Sequence, residues 1–241
     1  LREDRGSLTY AELSGFHRSY RLSDAAREIA PDAEGSDYAE AQLTFGLGHL
    51  WRPEGQAEPW RFGVAGGRFW YAGAPYLDFA RVSVDRGLQL SPADRLAMGL
   101  VAERQAGIET VDTEALTLRG AWRHTVAEAG TLSLTLRARR LEAEGPDRAY
   151  RSEALGLGWR FDGFDLTLRL EVEGRDYDSS VYTRDTRRDV TRTLEAAAPV
   201  GTMELYGFRP WLTARHSVTD STVPRFDTES TGAGLSIRSA F

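Results

Sequence analysis

The chain has 241 residues and no cysteine, with 30 basic residues against 36 acidic ones and a net charge of −6. The lack of cysteine excludes disulfide scaffolds, thiolate metal sites and thiol nucleophiles. The acidic balance argues against a nucleic-acid partner, which would need a basic surface for phosphates. All 30 basic residues are arginine. No apolar run approaches the ~20 residues of a membrane-spanning helix.

Apolar and polar residues alternate along most of the chain. In the clearest segment, 164–173, apolar residues at even positions alternate with polar residues at odd positions. Strict alternation indicates half-buried β-strands. It predicts about 12 strands, near 7–22, 39–51, 60–70, 78–90, 95–103, 115–123, 131–139, 152–161, 164–173, 187–200, 208–217 and 231–241. Most of them are long enough to cross a membrane at a tilt.

The predicted connections alternate in length. The short ones are 91–94, 127–130 and 162–163, and the longer polar ones are 23–36, 104–113, 141–149, 174–186 and 218–228, with 73–76 as an exception. Short turns at one end and long loops at the other are typical of outer-membrane barrels.

Two further features favour a membrane barrel over a soluble β-sandwich, the alternative fold. The polar faces carry charge along their whole length, and aromatic residues recur near the strand ends, as an interfacial girdle requires. We therefore predict an all-β, antiparallel, up-and-down transmembrane β-barrel of about 12 strands, with 10–14 as the range. It forms a single domain over residues 1–241.

The last segment, Gly234 to Phe241, alternates and ends in an aromatic residue. It resembles the terminal strand of bacterial outer-membrane proteins, which the barrel-assembly machinery recognises. The resemblance implies an integral outer-membrane protein with lipid and this machinery as partners. The assembly signal would comprise Leu235, Ile237 and Phe241.

A second resemblance rests on short motifs. They are Arg187-Arg188-Asp189, Leu194 to Val200, Tyr206-Gly207-Phe208-Arg209-Pro210, Ser221-Thr222-Val223, Gly67-Arg68-Phe69-Trp70-Tyr71 and Pro75-Tyr76. Together with the closing strand, they resemble the C-terminal barrel of surface lipoprotein assembly modifiers. The resemblance implies export or surface display of lipoproteins, with exported lipoproteins as partners. That family carries an upstream periplasmic helical-repeat domain and about 14 strands, so this chain would be a fragment or a shortened relative.

The residues offer little for catalysis or metal binding. His17, His49, His124 and His216 are scattered, and the aspartates of 176–189 do not match a calcium loop. No Gly-x-Ser-x-Gly elbow occurs. We therefore predict that the protein is not an enzyme and that it uses no metal or cofactor.

One constellation stands out on the polar faces. It comprises Arg81, Arg119, Arg123, Arg137, Arg139, Arg160, Arg169, Glu171, Arg187, Arg215 and Arg238, which we predict to line the lumen. These arginines could form a positive lumen that favours anions. Alternatively, they are structural and pair with Glu40, Asp85, Glu103, Glu171, Glu173 and Glu195.

Three functions follow from these observations. The first is export or surface display of lipoproteins, as the resemblance implies. The second is a passive porin for small solutes, and the third is the translocator barrel of an autotransporter.

Overall fold

A computed structural model describes residues 2–4, 6–18, 32, 34–54, 58–108, 110–163, 165–183, 185–201 and 208–239. Among the described residues, no helix is long and apolar enough to span a membrane. The helical elements described are two short 3-10 turns, Gly35–Tyr38 and Pro224–Phe226. The strands are β1 (Arg2–Asp4), β2 (Ser7–Arg18), β3 (Glu40–Trp51), β4 (Trp60–Tyr71), β5 (Ala74–Gln89), β6 (Asp94–Gly107), β7 (Thr113–Val126), β8 (Gly130–Ala143), β9 (Tyr150–Arg160), β10 (Thr167–Tyr177), β11 (Arg188–Pro199), β12 (Phe208–Ser221) and β13 (Thr228–Ser239).

All strands belong to one antiparallel sheet in which each strand pairs with its neighbours in the chain. β1 adds three residues to the edge of β2 by pairing with Ser7 to Thr9. The last strand lies alongside β2: a Cβ on Gly232 would sit 3.6 Å from Cγ of Arg18. β2 to β13 therefore form an up-and-down β-barrel of 12 strands, which confirms the predicted fold class.

The alternation places two chemically different faces on the sheet. Directly opposed residues share a face, so the registers align apolar side chains on one side and charged ones on the other. The apolar set includes Leu13, Leu43, Phe45, Leu47, Phe62, Val64, Val82, Met98, Leu100, Leu116, Leu118, Leu134, Leu136, Leu155, Leu157, Leu168, Leu170, Val172, Leu194, Leu212 and Leu235, all of which are exposed. A continuous exposed apolar belt around a barrel is the surface that contacts lipid.

Tryptophans mark one edge of this belt. Trp51 and Trp60 are direct cross-strand partners, and Trp122 and Trp159 lie near the same end of their strands. We call this end, with connections 90–93, 127–129 and 161–166, the turn end. Indole rings favour the boundary between lipid and water. The turn end therefore carries the predicted aromatic girdle.

The predicted contrast between short turns and long loops is weaker in the structure. Strands β6, β8 and β12 continue past their predicted ends, to Gly107, Ala143 and Ser221. As a result, the connections that follow them shrink to 108–112, 144–149 and 222–227. We call this opposite end the loop end.

Outward ion pairs at the loop end explain why the strands extend further than predicted. They are Arg68–Asp78, Arg104–Glu114, Arg140–Asp178, Arg188–Asp176 and Arg192–Asp220. Beyond the lipid, an outward residue no longer has to be apolar, so the hydropathy alternation stops while the backbone pairing continues. The hydrogen bonds from Arg140 hold the pKa of Asp178, which lies outside the strands, below its usual value.

The connection at 73–76, which broke the predicted rule, is a tight hairpin. Ala72 and Gly73 form a two-residue turn between β4 and β5, with φ of 51° and 79°. Two positive φ values are the signature of the type I′ turn that suits the twist of paired strands.

If the apolar belt faces lipid, the effect of an introduced charge on the free energy of unfolding should depend on its position. Leu136 lies within the belt and is 58% exposed, whereas Leu90 lies in the turn after β5 and is 61% exposed. We expect Leu136→Arg to lower the free energy of unfolding in vesicles by about 2–4 kcal/mol, because a buried guanidinium loses its hydration. We expect Leu90→Arg to change it by less than about 1 kcal/mol. Urea titrations followed by tryptophan fluorescence compare the two. Equal losses would contradict the assignment of this face to lipid.

Candidate functional site

The inner face of the barrel encloses a series of adjoining cavities. A central cavity of about 530 Å³ shares Arg95 and Arg123 with a cavity of about 420 Å³ at the turn end. Towards the loop end it shares Arg137 and Arg139 with a cavity of about 270 Å³. Because neighbouring cavities share lining residues, they form a continuous polar lumen along the strands.

The charge of the central cavity is opposite to that of the chain. Eight inward arginines and three acids line it, although the whole chain has a net charge of −6. The three acids, Asp85, Glu103 and Glu171, each form ion pairs with arginines of the same wall. The lumen therefore holds an excess of fixed positive charge.

A glycine allows one of these pairs to form across an intervening strand. Asp85 on β5 accepts two hydrogen bonds from Arg119 on β7, at 2.9 and 2.7 Å. Gly99 on β6 lies directly between them in the register. A Cβ on Gly99 would collide with the Asp85 carboxylate and lie 2.9 Å from Nε of Arg119. The missing side chain thus makes room for a bidentate pair, the strongest arrangement for arginine and carboxylate.

A second network joins β8 and β10 over small residues of β9. Arg137 donates to Glu171 at 2.9 Å and to Glu173 at 3.3 Å. Arg169 donates to the other oxygen of Glu171 at 2.5 Å, and Arg175 donates to Glu173 at 3.1 and 3.0 Å. These contacts bear out part of the structural alternative for the arginines.

Other inward arginines keep their charge uncompensated. Among the described residues, Arg61, Arg81 and Arg123 form neither an ion pair nor a hydrogen bond through their side chains, although the Arg81 guanidinium lies over the Phe79 ring. Glu195 lies directly opposite Arg169 and Arg215 but pairs with neither within 4.0 Å. The inward set therefore contains both paired and unpaired arginines.

The opposite wall carries hydroxyl groups. The hydroxyls of Thr191 and Thr219 lie 2.9 Å apart, and those of Thr193 and Ser217 lie 3.0 Å apart. β11 and β12 lie about half a circumference from β5 and β6, since the barrel has 12 strands. The lumen thus has an arginine-rich wall facing a wall on which hydroxyl pairs accompany Glu195 and Arg215.

The structure brings most of the predicted lumen residues together. Arg81, Arg119, Arg123, Arg137, Arg139, Arg160, Arg169, Glu171 and Arg215 all line these cavities. The side chains of Arg238 and Ile237, and the whole of Phe241, lie outside the described residues. Leu235 is exposed on the lipid face.

Three further arginines, Arg61, Arg95 and Arg175, line the cavities but were absent from the predicted set. The parity of the alternation could have revealed them. Arg61 precedes the outward Phe62, and Arg175 continues the inward series of Arg169 and Glu171.

Arg187 lies apart from the cavities, in the connection between β10 and β11 at the loop end. It donates to Asp189 at 2.9 and 2.5 Å, and its guanidinium carbon lies 3.4 Å from the centre of the Phe226 ring. Asp147 approaches it at 3.7 Å, and Tyr177 accepts a hydrogen bond from it at 3.2 Å. Burial opposes its charge, but the hydrogen bond to Asp189 and the nearby negative groups raise the pKa of Arg187. This cluster ties three loop-end connections together.

The lumen offers no imidazole among the described residues. His17, His49, His124 and His216 lie on the outward face, where His124 binds Asp94 at 2.9 Å and His49 binds Thr9 at 2.9 Å. Within the same part of the chain, no group of three His, Cys, Asp or Glu side chains could hold a metal ion.

Comparison with solved structures identifies a known fold. Over 95% of this chain and 99% of the other, the KdgM porin in complex with disordered oligogalacturonate superimposes with a TM-score of 0.53 at 13% identity. Together with the exposed apolar belt, this match establishes where the protein resides. The chain is an integral outer-membrane β-barrel. At this identity the similarity establishes the fold alone.

Weaker similarities point to other outer-membrane barrels. LpxR from Salmonella typhimurium shares 9% identity over 96% of this chain and 100% of the other, with a TM-score of 0.48. The β domain of the Bordetella autotransporter BrkA shares 12% over 98% and 100%, with a TM-score of 0.47. Neither score supports an argument about function.

No family model and no curated protein matches the chain. The resemblance to surface lipoprotein assembly modifiers therefore stays a prediction.

The role of Gly99 can be tested against a neighbouring glycine. We expect Gly99→Ala to lower the free energy of unfolding by about 1–3 kcal/mol, because it displaces the Asp85–Arg119 hydrogen bonds. Gly120→Ala should change it by less than about 0.5 kcal/mol, because a Cβ there meets no atom within 4 Å. Equilibrium unfolding in vesicles measures both, and equal effects would refute the role of Gly99.

The buried ion pair at the loop end predicts that two adjacent arginines contribute unequally to the free energy of unfolding. Arg187→Ala leaves the buried Asp189 unpaired, so we expect a loss of about 3–5 kcal/mol. Arg188→Ala removes only an exposed pair with Asp176, so we expect a loss below about 1 kcal/mol. Unfolding curves give both losses, and limited proteolysis of residues 178–187 should accelerate only for Arg187→Ala. Unchanged proteolysis would show that Arg187 does not hold this connection.

Proposed function

We propose that the protein is a passive, anion-selective channel of the outer membrane. The observation that carries the proposal is the inverted charge of the lumen, in which eight inward arginines stand against three acids at the centre of an acidic chain. Rings of arginine favour anions in a pore because they lower the electrostatic energy of a negative solute. The acids of this cavity are already engaged in ion pairs, which leaves the excess positive charge available to a solute.

Two further observations support conduction. The cavities adjoin one another from the turn end towards the loop end, which provides a polar route. The barrel shared with the KdgM porin, whose structure was solved with an oligogalacturonate, is compatible with a channel for acidic solutes. Lipoprotein export rests on the family resemblance alone.

The proposal is tested by reversal potentials. The purified protein is inserted in a planar bilayer under a tenfold gradient of potassium chloride, and we expect selectivity for chloride. The double variant Arg61→Gln and Arg81→Gln should reduce the chloride-to-potassium permeability ratio, because it removes two uncompensated charges from the central cavity. Arg151→Gln is the control, because Arg151 lies on the outer face at the loop end.

Two outcomes would refute the proposal. The first is a folded barrel with no conductance, as expected of a translocator that opens only with its substrate. The second is cation selectivity in the wild-type protein. An equal change in the double variant and in Arg151→Gln would attribute selectivity to the surface potential rather than to the lumen.

A further inference from the structure

The turn-end cavity has a lining unlike the rest of the lumen. It measures about 420 Å³ and is lined by three arginines, Arg95, Arg123 and Arg160. Four hydroxyl side chains complete its polar wall, Thr125, Thr131, Ser133 and Thr167. No acidic side chain among the described residues lines it. Its wall therefore offers many hydrogen-bond donors and no carboxylate to accept them.

The positive charges at this cavity repel one another. Arg95 and Arg123 lie directly opposite on β6 and β7, an arrangement that destabilises a sheet when both residues carry the same charge. The charges that act on Arg123 come from Arg95, Arg61 and Arg160, all of them positive. Glu58 pairs with Arg95 at 2.6 Å and Asp162 pairs with Arg160 at 3.7 Å, so Arg123 is the lining arginine that has no acidic partner among the described residues. The structure thus holds an uncompensated cation where an anion would relieve repulsion.

The hydroxyl groups are placed around the same point. Thr131 and Thr167 lie directly opposite Arg160 on the two flanking strands, and Ser133 lies directly opposite Arg123. None of these three hydroxyls forms a hydrogen bond with another described residue. Gly158 beside Ser133 keeps the space open, since a Cβ there would lie 2.5 Å from the Ser133 hydroxyl. The hydroxyls are therefore available to a ligand.

We propose that this cavity binds a phosphate group, either as inorganic phosphate or as part of a small phosphorylated solute. Guanidinium groups match phosphate oxygens in a bidentate manner, and the hydroxyls can donate to the remaining oxygens. A volume of about 420 Å³ suits a small-molecule site. The inference deepens the proposed function by naming a solute class, but binding itself does not depend on conduction.

Binding is measured first by thermal unfolding of the full chain in detergent. At matched ionic strength, we expect phosphate to raise the midpoint and chloride to leave it unchanged, because a ligand of the folded state stabilises by mass action. Arg123→Gln should abolish the shift, Arg123→Lys should retain part of it, and Arg151→Gln should keep it. Equal shifts with phosphate and chloride in the wild-type protein would overturn the site without requiring any variant.

Chloride currents supply the second measurement. Phosphate should block them, and the half-blocking concentration should rise at least tenfold in Arg123→Gln. A thermal shift without conductance would support the site and refute the channel. Conductance without any effect of phosphate would support the channel and refute the site. A larger effect of glycerol 3-phosphate than of phosphate would indicate a phosphorylated solute, and an equal effect would indicate the phosphate group alone.

Discussion

The requirement that every backbone polar group find a partner within the sheet governs this structure. A closed antiparallel barrel meets it, and the two-residue period of the strands then assigns each side chain either to lipid or to the lumen. Within the lipid-facing belt leucine and valine occupy the first environment, whereas the charged residues at the same level of the barrel occupy the second. The arginine-rich lumen is therefore a direct product of the pairing: a shift of one residue in any strand would move its charges into lipid.

Within the lumen, small residues decide which charges meet. Gly99 lets Asp85 reach Arg119 across a whole strand, and the small residues of β9 let Arg137 reach Glu171 in the same way. Side chains two strands apart can thus form strong pairs, and other arginines remain without partners. The charge excess available to a solute depends on this selective pairing rather than on composition alone, since the chain as a whole is acidic.

The sequence predicted the strands well because lipid enforces a visible pattern, and it predicted their ends poorly because that pattern stops where lipid stops. The continuation of β8 through Arg140 to Ala143 is an example. The alternation of inward and outward positions assigned most of the lumen arginines correctly, and it could also have revealed Arg61. The individual pairs could not be predicted, because they depend on the register and on gaps such as Gly99. Arg187 belongs to a connection whose packing has no periodic signal in the sequence.

The unequal walls of the lumen have an electrostatic consequence. Arginines on β5 to β8 and hydroxyls on β11 and β12 create a transverse field across the pore. In the channel proposed above, this field would draw an anion towards the arginine-rich side, so its path would be narrower than the full bore. A neutral polar solute feels only a torque, which turns its dipole across the axis. The proposed channel would therefore present a narrower path to anions than to uncharged solutes.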